Sequence, residues 1–78
     1  MEIGDYIKQT GNDFVSYGLI VKQTKKSFIA IVFTSYDGRV KGKASLKSLN
    51  TWHPRPIKIN PIDIPDRILG KINSRKEN

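Results

Sequence analysis

Phe28-Ile29-Ala30-Ile31-Val32-Phe33 is an unbroken apolar run in a chain of only 78 residues that has no cysteine. Aromatic and β-branched residues fill it, so it favours a strand. A strand without polar alternation is buried on both faces, or nearly so. A chain this short has little surface to hide such a strand with, and it lacks disulfide or thiolate–metal staples. The run is therefore expected to be the central strand of one small domain. A composition of 37% hydrophobic and 27% charged residues suits a folded domain rather than a disordered tail.

The flanking sequence supplies partners for that strand. Ile3 to Gln9 reads as a first strand, and Gly11-Asn12-Asp13 as the turn after it. Val15 to Gln23 reads as a second strand, with Tyr17, Leu19 and Val21 on one face and Gly18, Ile20 and Lys22 on the other. Gly18 inside a strand marks a bulge, a bend or a close approach by another backbone. Thr24-Lys25-Lys26 is a short loop into the third strand, Ser27 to Ser35. Asp37-Gly38 predicts a type I′ hairpin, because both positions tolerate positive φ. Val40 to Leu46 is then the expected fourth strand. Val40, Gly42, Ala44 and Leu46 would share one face, and Arg39, Lys41, Lys43 and Ser45 the other. Leu46 to Leu49 suits one tight helical turn. Ile57-Lys58-Ile59 can form a short last strand, confined by Pro56 to a sheet edge. The Pro- and Ile-rich stretch from 54 to 65 reads as extended, covering an edge or offering a ligand strand to another protein, with covering favoured because exposed Ile is a liability. Pro65 to Ile72 can form a short helix with Gly70 near its end, and Asn73 to Asn78 are expected to fray.

The expected fold is all-β: a small five-stranded, strongly bent sheet or barrel, with an extended Pro/Ile-rich C-terminal arm and room for one short helix. Residues 1–60 would be the barrel domain and 61–78 the arm. Gly4-Asp5-Tyr6-Ile7, Tyr17-Gly18-Leu19-Ile20, Ala30-Ile31-Val32-Phe33 and Ala44-Ser45-Leu46, in that order, resemble small barrels of the Src-homology-3 type. That architecture includes the Tudor, KOW and retroviral-integrase C-terminal domains. The resemblance is one of pattern and size over the first 60 or so residues. It implies a barrel and assigns no binding residue.

Charge is the sharpest functional signal. Residues 22–58 carry nine Lys or Arg against one acid, Asp37, a local balance of +8 in a chain whose net charge is +7. A concentrated basic surface attracts phosphates. Arg39, Lys41 and Lys43 at period two would stand roughly 7 Å apart on one strand face, close to the phosphate repeat along a nucleic-acid strand. Lys47 continues that track, and Lys25 and Lys26 would flank it from the neighbouring loop. Tyr36 beside the Asp-Gly turn, and Trp52 near Arg55, could stack on bases or wedge into a minor groove. Against this stand a Lys-rich strand face that merely discourages edge pairing, an acidic protein partner, and a Trp52 that caps the core. The candidate nucleic-acid contacts are thus Lys25, Lys26, Tyr36, Arg39, Lys41, Lys43, Lys47, Trp52 and Arg55.

No nucleophile motif, paired carboxylates or Gly-rich phosphate loop accompanies them, so no catalytic residue and no cofactor are expected. His53 stands without a second His or any Cys, which argues against a metal site. No apolar run approaches the length that spans a bilayer. Glu2 stands where a signal peptide carries cations. The expectation is a cytoplasmic, non-enzymatic protein that binds nucleic acid, DNA before RNA, with low sequence specificity and no membrane association. The alternative is a small protein-interaction module, or a phage- or plasmid-type regulator, docking on a larger protein. Tyr6, Phe14, Tyr17 and the Ile-rich arm would then make the contact. The oligomeric state is left open.

Overall fold

The apolar run lies within β3 (Phe28–Tyr36), the fourth strand from one edge in a sheet of order β4-β3-β2-β1-β5. The computed structural model describes residues 1–76, the Thr51 side chain excepted. The other strands are β1 (Tyr6–Thr10), β2 (Phe14–Gln23), β4 (Ser45–Ser48) and β5 (Ile57–Ile59), and every pairing is antiparallel. β4 and β5 are the two free edges, so the sheet is open rather than a closed ring. A 3₁₀ turn (Leu49–Thr51) leads out of β4, and a second (Pro61–Asp63) leads from β5 towards α1 (Asp66–Lys76).

Both faces of β3 are covered, as an unalternated apolar strand demands. On one face Tyr17, Leu19, Ile31 and Phe33 form a cluster with Ala44, Ile64, Ile68 and Ile72, so α1 roofs this side. On the other, Ile7, Ile20, Ala30 and Val32 pack with Phe28, Leu49 and Trp52. The β2 alternation holds, with Tyr17, Leu19 and Val21 turned to the helix and Ile20 turned away. The β2–β3 register slips between Ile20 and Lys22, not at Gly18. Gly18 instead permits a close approach. A Cβ there would sit 3.1 Å from the Ile31 carbonyl oxygen, 3.2 Å from Val32 Cγ2 and 3.3 Å from Ile7 Cγ1. Gly18→Val adds two further methyl groups in that space and is expected to cost about 1–3 kcal/mol. An unchanged urea midpoint would refute this.

Three expected elements differ. The fourth strand is not Val40 to Leu46: only Ser45–Ser48 pairs with β3, and residues 39–44 form an irregular connection. Gly42 adopts a positive φ of 90°, which an extended strand forbids. Carbonyl groups that a ladder would use are taken by side chains: Ser35 Oγ donates to Arg39 O, and Lys71 Nζ donates to Gly42 O. The inward alternation survives in part. Val40 is half-buried and Ala44 buried, while Leu46 is 52% exposed. The tight turn follows β4 at Leu49–Thr51 rather than starting at Leu46. The helix, for its part, runs past Ile72 through Asn73 to Lys76, and Gly70 lies inside it. Packing of Ile68 and Ile72 on the sheet supplies the stability that a short isolated helix lacks. Glu77 and Asn78, also expected to fray, lie outside the described residues.

The Asp37-Gly38 turn forms as its chemistry requires. Both residues have positive φ, 53° and 76°, and Arg39 N–H donates to Tyr36 O at 3.0 Å. It tips a long loop, because β3–β4 pairing begins only at Val32 and Ser45.

β5 covers the outer edge of β1, with Ile57 and Ile59 opposite Lys8 and Tyr6. Asp5 helps fasten it: Lys58 Nζ lies 3.5 Å from Asp5 Oδ1, and Glu2 N–H donates to Asp5 Oδ2 at 2.8 Å. The Glu2 hydrogen bond is the main cause that holds the Asp5 carboxyl below its ordinary value of 3.8; desolvation opposes it, and Lys58 adds to it. A lowered folded pKa contributes stability that is present above the unfolded value and is lost as pH falls through the folded one. Asp5→Asn should therefore lose stability at neutral pH and show a shallower decline below pH ~4. Parallel urea curves for variant and parent across that range would sink the assignment.

Candidate nucleic-acid interface

The basic connection after the Asp-Gly turn is where the sequence places its strongest candidates, and folding gathers some of them. Tyr36, Lys41, Lys43 and Lys47 line one hollow of about 220 Å³ at the β4 edge, together with Thr34 and Ser45. Among the described residues no carboxylate lines it. The three lysines are exposed, and Tyr36 is 58% exposed, its ring 6.0 Å from that of Phe14. Lys47 reaches this place from β4, opposite Ala30, whereas Lys41 and Lys43 reach it from the irregular connection. The regular strand spacing expected for Arg39, Lys41 and Lys43 is therefore absent. Arg39 is exposed next to the turn and does not line the hollow.

A second group lies elsewhere. Lys26, Trp52 and Arg55 line a separate pocket of about 380 Å³ with His53 and Phe28. Trp52 is half-buried and packs against the Ile7–Ile20–Ala30–Val32 cluster, so it covers the sheet face remote from α1. Gln9, itself buried, donates from Nε2 to Pro54 O at 2.7 Å and ties the Trp52–Pro56 segment down. Lys25 is exposed in the β2–β3 turn and lines neither space. The β2–β3 turn and the Asp37-Gly38 turn lie beyond opposite ends of β3, so Lys25 and Lys26 do not flank the hollow.

The sequence reading missed a third basic feature. Arg67, Lys71 and Arg75 line a cleft of about 390 Å³ between α1 and the connection before β4, facing Lys43, Gly42 and Ala44. The signal was present: the helix period of about four residues that buries Ile68 and Ile72 also aligns Arg67, Lys71 and Arg75 along one neighbouring row. Their meeting with Lys43 is tertiary and has no local signature. Lys71 is half-buried; its Nζ donates to Gly42 O and lies 5.4 Å from the Phe33 ring centroid. The charge thus fixes the connection to the helix, and among the described residues no acid pairs with it. Gly70 lines the same cleft, and a Cβ there would meet nothing within 4 Å. A mid-helix glycine costs roughly 1 kcal/mol relative to alanine. The space above it is open.

Hollow and cleft share Gly42 and Lys43 and so form one basic track from the sheet edge onto the helix. Ammonium and guanidinium groups without carboxylate neighbours can hold phosphate oxygens, and an exposed phenol ring can stack on a base. Among the described residues no group of three or more His, Cys, Asp or Glu is placed to hold a metal ion, and no helix is long and apolar enough to cross a membrane. Compared with protein-family models, curated proteins and solved structures, the chain matches none.

Proposed function

We propose that this protein is a non-enzymatic nucleic-acid-binding protein that grips the phosphate backbone with low sequence specificity, duplex DNA being its first substrate. The observation that carries this reading is the hollow at the β4 edge, where Tyr36, Lys41, Lys43 and Lys47 converge with no acid among them. Lysine donates as a point charge and matches phosphate rather than a base edge, so affinity would be broad across sequences. On this reading the open sheet is a bent, incompletely closed relative of the Src-homology-3 barrel architecture, acting in the cytoplasm. The observed order supports that: three strands, the Asp-Gly turn, a fourth strand, a 3₁₀ turn and a short fifth strand against β1. Fluorescence anisotropy with labelled duplex, single-stranded DNA and RNA at two salt concentrations tests it. Binding that weakens steeply with salt is expected. Failure to bind any of the three at low salt would overturn the reading.

A second reading has its own observation. Phe14, Val15, Tyr17, Val40 and Ile68 line an apolar hollow of about 460 Å³, with Asp13 and Asp37 also lining it. Ile57 and Ile62 are 61% and 87% exposed. A protein-interaction module would use such surfaces, and it would leave nucleic acid unbound at any salt concentration.

A further inference from the structure

We infer that the cleft between α1 and the Gly42–Ala44 segment is a phosphate site, taking the backbone phosphates of a nucleic-acid strand that continues from the β4-edge hollow. The identity of the strand rests on the function proposed above; the affinity for phosphate does not. Four cations meet here from distant parts of the chain: Lys43 from the connection, and Arg67, Lys71 and Arg75 from α1. Bringing like charges together opposes folding unless an anion or solvent offsets it. Among the described residues no carboxylate lines the cleft, so none of them supplies a counter-charge there. Lys71 is held in place by Gly42 O and the Phe33 ring, and that leaves the two guanidinium groups as the planar, multi-donor partners suited to phosphate oxygens.

The floor has the complementary shape. Gly42, Ala44, Gly70 and Ser74 are the remaining lining residues, all small. Gly70 stands in a helix where alanine would serve better, with nothing against it. An oxyanion of phosphate size fits between the basic rows only while that floor stays low. The cleft is therefore open where a ligand would enter and charged where it would be held.

The test uses the full chain and inorganic pyrophosphate, followed by amide chemical shifts in a nitrogen–proton correlation spectrum at constant ionic strength. Saturable shifts are expected at Gly42, Gly70 and Ser74. Arg67→Ala/Arg75→Ala should weaken pyrophosphate at least about tenfold. It should weaken duplex binding roughly 60-fold at 0.1 M salt, at about 0.9 decade per lost contact. Gly70→Leu keeps every charge, places a side chain on the floor, and should give a similar loss with the helix intact by circular dichroism. Lys22→Ala, exposed on β2 and lining neither hollow nor cleft, should leave pyrophosphate binding within about twofold. Shifts spread evenly over all lysines, or an Arg67→Ala/Arg75→Ala variant that binds pyrophosphate like the parent, would overturn the cleft as a phosphate site. Parent protein that binds duplex while the arginine variant binds it equally well also overturns this inference but leaves the proposed function standing. Pyrophosphate held in the cleft by a protein that binds no oligonucleotide supports the site and refutes the nucleic-acid reading.

Discussion

Changing Lys41, Lys43 and Lys47 together to alanine is expected to lower duplex affinity roughly 500-fold at 0.1 M salt, if each lysine neutralises one phosphate at about 0.9 decade per contact. The same count reduces the slope of log affinity against log salt by ~2.7. Two features make this variant informative. All three side chains are exposed, so their loss removes little packing and should change the unfolding free energy by no more than about 0.5 kcal/mol. They also line one hollow, so the effect should be the same for unrelated duplex sequences. Arg39 is the internal control. It belongs to the same stretch of sequence but not to the hollow, so Arg39→Ala should change affinity far less than any of the three. A triple variant with an unchanged salt slope would place the contact elsewhere. The Lys26–Trp52–Arg55 pocket would then be the next candidate.

That contrast shows what could be read from the chain. β2, β3 and β5 are legible because their signals are local: an apolar run, alternation, and a proline at an edge. The Asp37-Gly38 turn is legible because two adjacent residues tolerate positive φ. The fourth strand is not, because alternation reports which side chains face inward, not which backbone groups pair. Val40 and Ala44 do face the core, yet the Gly42 carbonyl is taken by Lys71, 29 residues further on. The candidate site divides in the same way. Lys41, Lys43 and Lys47 read as one basic track in the sequence and do line one hollow, but not through the expected period-two strand, and Arg39, which that period includes, stands outside it. The row of Arg67, Lys71 and Arg75 was visible as a helical period; its partner Lys43 was not, since only the fold brings them together.

Ile72→Ala is expected to destabilise the protein by about 2–5 kcal/mol, the range for truncating a fully buried isoleucine. At 0.05–0.15 kcal/mol per residue a chain of this length has ~4–12 kcal/mol in all, so the substitution removes a large share of it. The reason lies in the helix. From sequence, residues 61–78 look like an arm appended to a barrel. In the structure Ile64, Ile68 and Ile72 share one cluster with Tyr17, Leu19, Ile31 and Phe33, and Ile72 is 0% exposed. Without that roof the sheet would present an aromatic and aliphatic face to water, and a sheet so small has no second layer on that side. Ile68→Ala combined with Ile72→Ala should therefore leave the chain unfolded at 25 °C, as judged by loss of the β signal in circular dichroism. Ile62→Ala provides the counterpart: that side chain is 87% exposed, and its removal should stay within about 0.5 kcal/mol. If Ile72→Ala cost less than about 1 kcal/mol in urea, α1 would be an appendage and not part of the core. The phosphate cleft would fail with it, because Arg67, Lys71 and Arg75 face Lys43 only while Ile68 and Ile72 hold the helix against the sheet.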